Sequence, residues 1–295
     1  MFGQDIVPDA PIDLDVTLDC GQTFRWEKSD AGWKGIVRNA ALKLSQKDGV
    51  ITAISSSPAL IGMDLRDGLS TYLGLNDDLD VIHSHLIEIS KDYDPRCRQI
   101  IEAALVEAKG LRILRQDPFE TTIAYMISAR NSIPAIKRSV EALARYFPEN
   151  RVVLDGEAFF LFPGLEQMKL LSVKDLERLN LGFRSQWIYR LVQSLEDERF
   201  FTNMTKIDLD GKLNTLMGVY GIGFKIASCV SLFAYGELNS FPADVWILRM
   251  MKDLFGITGT TKAVTELGMR MFSPYAGYMQ EALYRYYRTN KIGRT

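Results

Sequence analysis

Lys225 stands two residues behind the second glycine of Val219-Tyr220-Gly221-Ile222-Gly223, and a run of helix formers follows it. "LDGKLNTLMGV" before the glycines is helical by period through Leu213, Leu216 and Met217, and "KIASCVSLFAY" behind them is helical again. The reading is helix, tight hairpin, helix. So short a hairpin needs positive φ, which glycine adopts cheaply. The first N–H groups of the second helix have no helical acceptors, and the helix dipole sets positive charge behind them. An anion that must touch backbone explains the bare chain, and a phosphate is the natural one.

Known phosphate loops narrow the reading. A Walker loop needs Lys-Ser/Thr, and Ile226 follows Lys225. A Rossmann turn needs a third glycine and a preceding strand. A helix-hairpin-helix that grips a nucleic-acid backbone remains, beside the plainer reading of a glycine-rich turn between packed helices. Nineteen residues after Lys225 lies Asp244, in Phe241-Pro242-Ala243-Asp244-Val245-Trp246. Its place before "VWILRMMKDLF" makes it an N-cap that stays ionised. Asp244 as a cap alone and Lys225 as a phosphate or solvent contact alone is the structural alternative.

These residues need a scaffold, and 295 residues with 47% hydrophobic content provide one. No apolar run approaches the roughly 20 residues of a membrane span. The acidic N-terminus lacks the order of a signal peptide. Cys20, Cys97 and Cys229 cannot all pair and form no CxxC, which fits a reduced compartment. His83 and His85 are too few for a histidine-rich metal site. Residues 1–100 carry 10 basic and 16 acidic side chains; residues 101–295 carry 25 and 21. The second part is the better candidate for an anionic partner.

Residues 23–55 read as strands, with turns at Ser29-Asp30-Ala31-Gly32 and Asp48-Gly49. From about Leu60 the pattern is helical, so a small antiparallel sheet with helices on one face is expected. From about Asp94 almost everything reads as helix. Asp117-Pro118-Phe119-Glu120 predicts a capping box, and Ser172 with Asp175 a second one. Phe162-Pro163-Gly164 is read as a break between two helices. The fold class is α+β: an N-terminal β-rich domain over residues 1–109 and a helical domain over 110–295.

A glycine hairpin, a lysine at the head of its second helix and a Pro-x-Asp one helix later resemble the helix-hairpin-helix DNA glycosylases. No cysteine follows Cys229, which excludes the iron–sulfur branch, and the alkyl-base branch usually lacks the lysine. Cys20-Gly21-Gln22-Thr23-Phe24-Arg25-Trp26, Leu111–Pro118, Asn180-Leu181-Gly182-Phe183-Arg184 and Pro274–Gln280 look like 8-oxoguanine DNA glycosylase in particular. With the hairpin and the aspartate they span nearly the whole chain. The resemblance implies a TATA-binding-protein-like N-terminal domain and a helical domain around a base pocket.

It also implies roles. The amine of Lys225 would displace the damaged base at C1′ and form a Schiff base, and Asp244 would stabilise the positive charge that develops on the sugar. A free lysine is only about 0.1% neutral near pH 7.4, a cost of about 4 kcal/mol, so the amine must be desolvated or deprotonated locally. The carbonyl of Gly21 would accept the N7–H that 8-oxoguanine has and guanine lacks. Gln280 would read the Watson–Crick edge, and Cys229 and Tyr284 would sandwich the ring; a buried cysteine and a helix-face aromatic are the plainer alternatives. Gly221 and Gly223 would anchor phosphate. Asn131 would fill the hole left by the flipped base, with Arg130 where asparagine is usual. Arg184 would contact the orphaned cytosine. Ala135 stands where eukaryotic members have a second cytosine-reading arginine, and Trp246 replaces a common histidine.

The implied partner is double-stranded DNA carrying 8-oxoguanine, bound by a monomer with no membrane. No cofactor is required. A cation on the carbonyls of Met217, Val219 and Ile222 is the one metal site the resemblance suggests. The expected location is the cytoplasm with the nucleoid, or the nucleus in a eukaryote. A monofunctional glycosylase for another base, or a DNA-binding module without catalysis, would use Lys225 for phosphate only.

Overall fold

The computed structural model describes residues 1–8 and 11–290; residues 291–295 of the expected helical domain lie outside the described residues. The chain opens with β1 (Phe2–Ile6) and the short helix α1 (Leu14–Leu18). Then come β2 (Trp26–Ser29), β3 (Gly32–Val37), β4 (Ala40–Lys47) and β5 (Val50–Ser55), joined as successive hairpins. These strands form an antiparallel sheet of order β1-β5-β4-β3-β2. The Asp48-Gly49 turn places both residues at positive φ, the geometry that matches strand twist. β1 was not anticipated: a charged, glycine-containing edge strand carries little alternation.

A two-residue ladder, β6 (Ala59–Leu60) with β7 (Met63–Asp64), leads into α2 (Leu65–Tyr72). One face of the sheet buries Trp26, Trp33, Leu42, Leu44 and Ile51 against Leu14, Leu69 and Leu73. Next come α3 (Leu79–Ser90), α4 (Pro95–Glu107), α5 (Pro118–Ser128) and α6 (Ile133–Arg145). Asp78, Asp94 and Asp117 cap α3, α4 and α5 with their side chains. Asp117 accepts from the Glu120 N–H, but the Glu120 carboxylate faces Arg25 instead of closing the box.

After α6 the chain is not helical. β8 (Arg151–Leu154) and β9 (Glu157–Phe160) form a hairpin about Asp155-Gly156, both at positive φ. Leu154 and Phe159 pack on Ile36 and Ala41, so the sheet is covered on its second face too. Phe162-Pro163-Gly164 therefore separates β9 from a helix. The helices that follow are α7 (Leu165–Lys169), α8 (Val173–Arg178), α9 (Arg184–Ser194), α10 (Arg199–Met204), α11 (Leu209–Met217), α12 (Phe224–Tyr235), α13 (Val245–Phe255), α14 (Thr261–Met271) and α15 (Ala276–Thr289). The Ser172–Asp175 box at α8 is reciprocal.

The packing divides earlier than residue 109. Leu79, Ile82, Leu86, Ile101 and Leu105 of α3 and α4 belong to the large helical core, while Leu73 belongs to the sheet core. α4 packs on α15 near the far end of the chain. Sequence local to residues 79–107 cannot reveal that partner. The chain passes between the cores at Leu111–Leu114, with Leu111 and Ile113 in the helical core and Leu114 in the sheet core.

Candidate active site

α11 ends at Met217, the chain turns through 218–223, and α12 begins at Phe224. Gly221 has φ +90°, and a Cβ there would sit 2.6 Å from the Trp187 ring. Both the backbone and the close approach of α9 demand glycine. Gly223 is the N-cap of α12, with open space where a Cβ would be. The first N–H groups of a 12-residue helix are thus presented at an uncrowded surface. Val219 O accepts the Ile222 N–H at 3.1 Å, which leaves it one lone pair. Met217 closes α11, where carbonyls lack helical donors.

Lys225 lies in the first turn of α12 and points inward. Its Nζ donates to Ser128 Oγ at 3.1 Å and lies 4.9 Å from the Tyr125 ring centroid. Ser128 Oγ donates in turn to Tyr125 O at 2.7 Å, so it receives the amine as an acceptor. One turn further on, Cys229 is buried, and burial pushes its thiol up to about 12. Asp244 caps α13, with Oδ1 accepting from the Trp246 and Ile247 N–H groups, each at 2.9 Å. Two charge-assisted bonds on one oxygen fix the carboxylate and leave Oδ2 for another partner.

Lys225 and Asp244 line one cavity of about 640 Å³ without forming an ion pair among the described residues. Gly21 forms part of its wall, with φ +97° and the Tyr284 ring 3.7 Å from where a Cβ would lie. Gln22 holds the Gly21 loop. Its amide donates to Thr17 O and Arg112 O at 3.0 and 2.8 Å and accepts from Leu114 N at 2.8 Å. Gln22 O receives Gln116 Nε2 and the Tyr125 hydroxyl. The loop is clamped from the segment that passes between the two cores.

α15 contributes Gln280 and Tyr284 to the cavity. Burial, then Asp244 and Glu281, push the Tyr284 hydroxyl up to about 12. Gln280 is 5% exposed, and its Oε1 has no hydrogen-bond partner. Glu281, absent from the sequence reading, also lines the cavity. A charged residue inside "QEALYRYY" carries no sign that its position is buried. Tyr125 and Ser128 were missed for the opposite reason: they sit in a helix that reads as core.

The loop between α5 and α6 supplies Arg130, exposed at φ +51°, and Asn131. Asn131 is turned onto backbone, donating to Ile127 O and accepting from Ser132 N. Arg184 is 8% exposed and lies outside the cavity. Its guanidinium donates to Ala129 O, Arg130 O and Leu181 O. It braces the Ala129–Arg130 loop from beneath and offers no free face to a base in this structure.

Residues 6–122 match the family model described as 8-oxoguanine DNA glycosylase, N-terminal domain. Over these residues the chain is similar to the 8-oxoguanine DNA glycosylase family. The OGG1 N-glycosylase/DNA lyase of Arabidopsis thaliana is 27% identical over 92% of this chain and 76% of its own. MBOgg1, solved with a low-affinity DNA ligand, is 26% identical and superposes with a TM-score of 0.84 over 98% of this chain and 96% of that one. The apo 8-oxoguanine glycosylase/lyase of Clostridium acetobutylicum, at 24% identity and the same TM-score, covers 97% and 96% and shares the fold. The family-model match ends inside α5, so the amine, the carboxylate and the α15 residues all lie beyond it. Among the described residues no helix is long and apolar enough to cross a membrane.

Proposed function

We propose that this protein excises 8-oxoguanine from double-stranded DNA and then nicks the strand at the resulting abasic site. The observation that carries the reading is the inward-facing amine of Lys225, held by Ser128 in the same cavity that the carboxylate of Asp244 lines. A lysine that served only phosphate would point away from that cavity with the helix N-terminus. The damaged nucleotide must leave the duplex to enter.

Lys225 Nζ attacks C1′ as the C1′–N9 bond breaks, and the bonding pair leaves with the base. Asp244 faces the positive charge that grows on the sugar. The departing base takes up the proton that the amine loses, and the ring opens to the protonated Schiff base as O4′ takes a proton from solvent. Loss of a C2′ proton then expels the 3′-phosphate and breaks the strand. The amine must be neutral before it attacks. Gly21 O accepts the N7–H of the lesion, where guanine would present a lone pair; a lost buried hydrogen bond plus repulsion supplies a few kcal/mol of discrimination. Cys229 and Tyr284 flank the ring and Gln280 reads its edge. Arg130, Asn131 and Arg184 serve the space opposite the lesion, Arg184 by placing the loop in its present setting.

The hairpin holds the DNA backbone through the N–H groups at the start of α12. A cation on the carbonyls of Met217, Val219 and Ile222 would reinforce that grip, and the free lone pair on Val219 O is compatible with it. The protein acts as a monomer in a DNA-containing compartment, the nucleoid-bearing cytoplasm or the nucleus.

Borohydride trapping on a duplex with one 8-oxoguanine, each base opposite in turn, tests the reading. A covalent adduct that vanishes in Lys225→Gln is expected. Base release with no adduct would make the enzyme monofunctional and reduce Lys225 to a binding group. Neither release nor adduct would leave a DNA-binding module.

A further inference from the structure

Two neighbouring side chains on α15, Gln280 and Glu281, are each at least nine-tenths buried, and each has an oxygen without any hydrogen-bond partner. Both line the cavity that holds Lys225. Buried polar atoms are rarely left this way unless something else completes them. Gln280 has an assigned role. Glu281 has none, and a carboxyl at 4% exposure without a cation is costly to keep.

We infer that Glu281 is a second base-reading residue, which donates a hydrogen bond from its carboxyl to a ring carbonyl oxygen of the flipped oxopurine.

The inference rests on the proposed excision of an oxidised purine. The surroundings decide which form the carboxyl takes. Cys20 faces it from the loop after α1, Tyr125 from α5, Cys229 from α12, Asp244 from the start of α13 and Tyr284 from its own helix. Lys225 and Arg130 also line the cavity; Lys225 is engaged with Ser128, and Arg130 is exposed on the loop between α5 and α6. Arg288 lies nearby on α15 and is held by Asp19. Burial, then the charge of Asp244, raise the Glu281 carboxyl to about 8, against the pull of Cys20 and Gln280. At neutral pH it carries its proton and is a donor. An oxopurine offers acceptors at O6 and O8, on either side of the N7–H that Gly21 takes. A donor on the pocket floor beside Cys20, the neighbour of Gly21, complements one of them. Above pH 8 the same group becomes an anion that repels those oxygens.

The test is single-turnover excision of 8-oxoguanine from pH 6 to 10 by wild type, Glu281→Gln and Glu281→Ala, with strand cleavage at a preformed abasic site as the control. Wild type is expected to lose activity as pH rises through about 8. Glu281→Gln donates at every pH and should lose that falling limb while keeping neutral-pH excision within roughly threefold. Glu281→Ala should excise roughly 10- to 100-fold more slowly, the effect of a missing buried hydrogen bond. All three should cleave the abasic strand alike, because no base is present. A falling limb unchanged in Glu281→Gln, or equal losses on lesion and abasic strands in Glu281→Ala, would overturn the inference. Binding of 8-oxoguanine and 8-oxoadenine duplexes in a Lys225→Gln background locates the contact. A penalty from Glu281→Ala on both lesions assigns O8, a penalty on 8-oxoguanine alone assigns O6, and none on either overturns the inference. Wild type that forms no trapped adduct would sink the proposed function itself; an adduct with unaltered pH behaviour sinks only this assignment.

Discussion

Two buried polar regions of this molecule lie side by side and are treated in opposite ways. At the junction of the two cores, Arg112 is fully buried and its guanidinium donates to Pro11 O, Gly74 O and Asp77 O. Arg115 forms a two-pronged bond to Asp77, which also receives the Tyr278 hydroxyl. In the neighbouring cavity, Gln280 Oε1 and Glu281 Oε2 have no partner. The buried carboxyls repeat the contrast. Glu120 has Arg25 at 3.4 Å and is raised by burial to about 7; Glu281 has no such cation and reaches about 8. Glu120 Oε1 likewise lacks a hydrogen bond, so what separates the two carboxyls is the cation beside Glu120 and the open cavity beside Glu281.

That contrast is sharpest at Lys225. Lys225→Gln should remove excision and adduct formation altogether while the duplex is still bound, as a gel-shift assay beside a trapping assay would show. Asp244→Asn separates cap from charge. Asparagine caps as well as aspartate, so the melting transition should hold, but excision should fall by about 10²–10³. A comparable loss of stability would mean that the carboxylate is framework.

At the junction the expectation reverses. Arg112→Met leaves several carbonyls without donors and should cost about 3–5 kcal/mol in denaturant unfolding. Activity per folded molecule should change little. The two hairpin glycines differ in the same sense. Gly221→Ala meets Trp187 and an unfavourable φ and should lose more than about 1 kcal/mol, whereas Gly223→Ala should stay within about 0.5 kcal/mol.

The stability of Glu281→Gln relative to wild type gives the finest comparison. The folded carboxyl titrates near 8 and the unfolded one near its ordinary 4.5, so between those values the native state holds a proton that the unfolded chain lacks. Wild-type stability therefore falls as pH rises from 4.5 to 8. The variant should match wild type at pH 4 and exceed it by about 2 kcal/mol or more at pH 8. Chemical denaturation at the two pH values would decide it.

The residues of the proposed catalytic site could be picked out in the sequence because each carries a local signal. Glycines at a forced hairpin, a lysine one step inside a helix and an aspartate before one are each written within a few residues. The β8–β9 hairpin carries the same kind of signal in Asp155-Gly156, yet its four-residue strands are too short to stand out against a helical background. α3 and α4 read correctly as helices, but their allegiance to the second core depends on α15, far along the chain. Arg184 and Glu281 were opaque for one physical reason. Their roles are set by which carbonyls or cavities lie opposite, and a helix's own sequence does not encode its neighbours.

The pocket is tied together by contacts distant in sequence: Gln22 to Arg112, Lys225 to Ser128, and Tyr278 to Asp77 are separated by 90, 97 and 201 residues. Such contacts form only after long loops have closed. A chain still emerging from the ribosome carries Gly21 long before it carries Lys225, and Lys225 before Gln280. The proposed nucleophile and the proposed base-reading residues therefore come together only once α15 has been made, and a chain that stops short of α15 holds the amine without the side chains that would read the base.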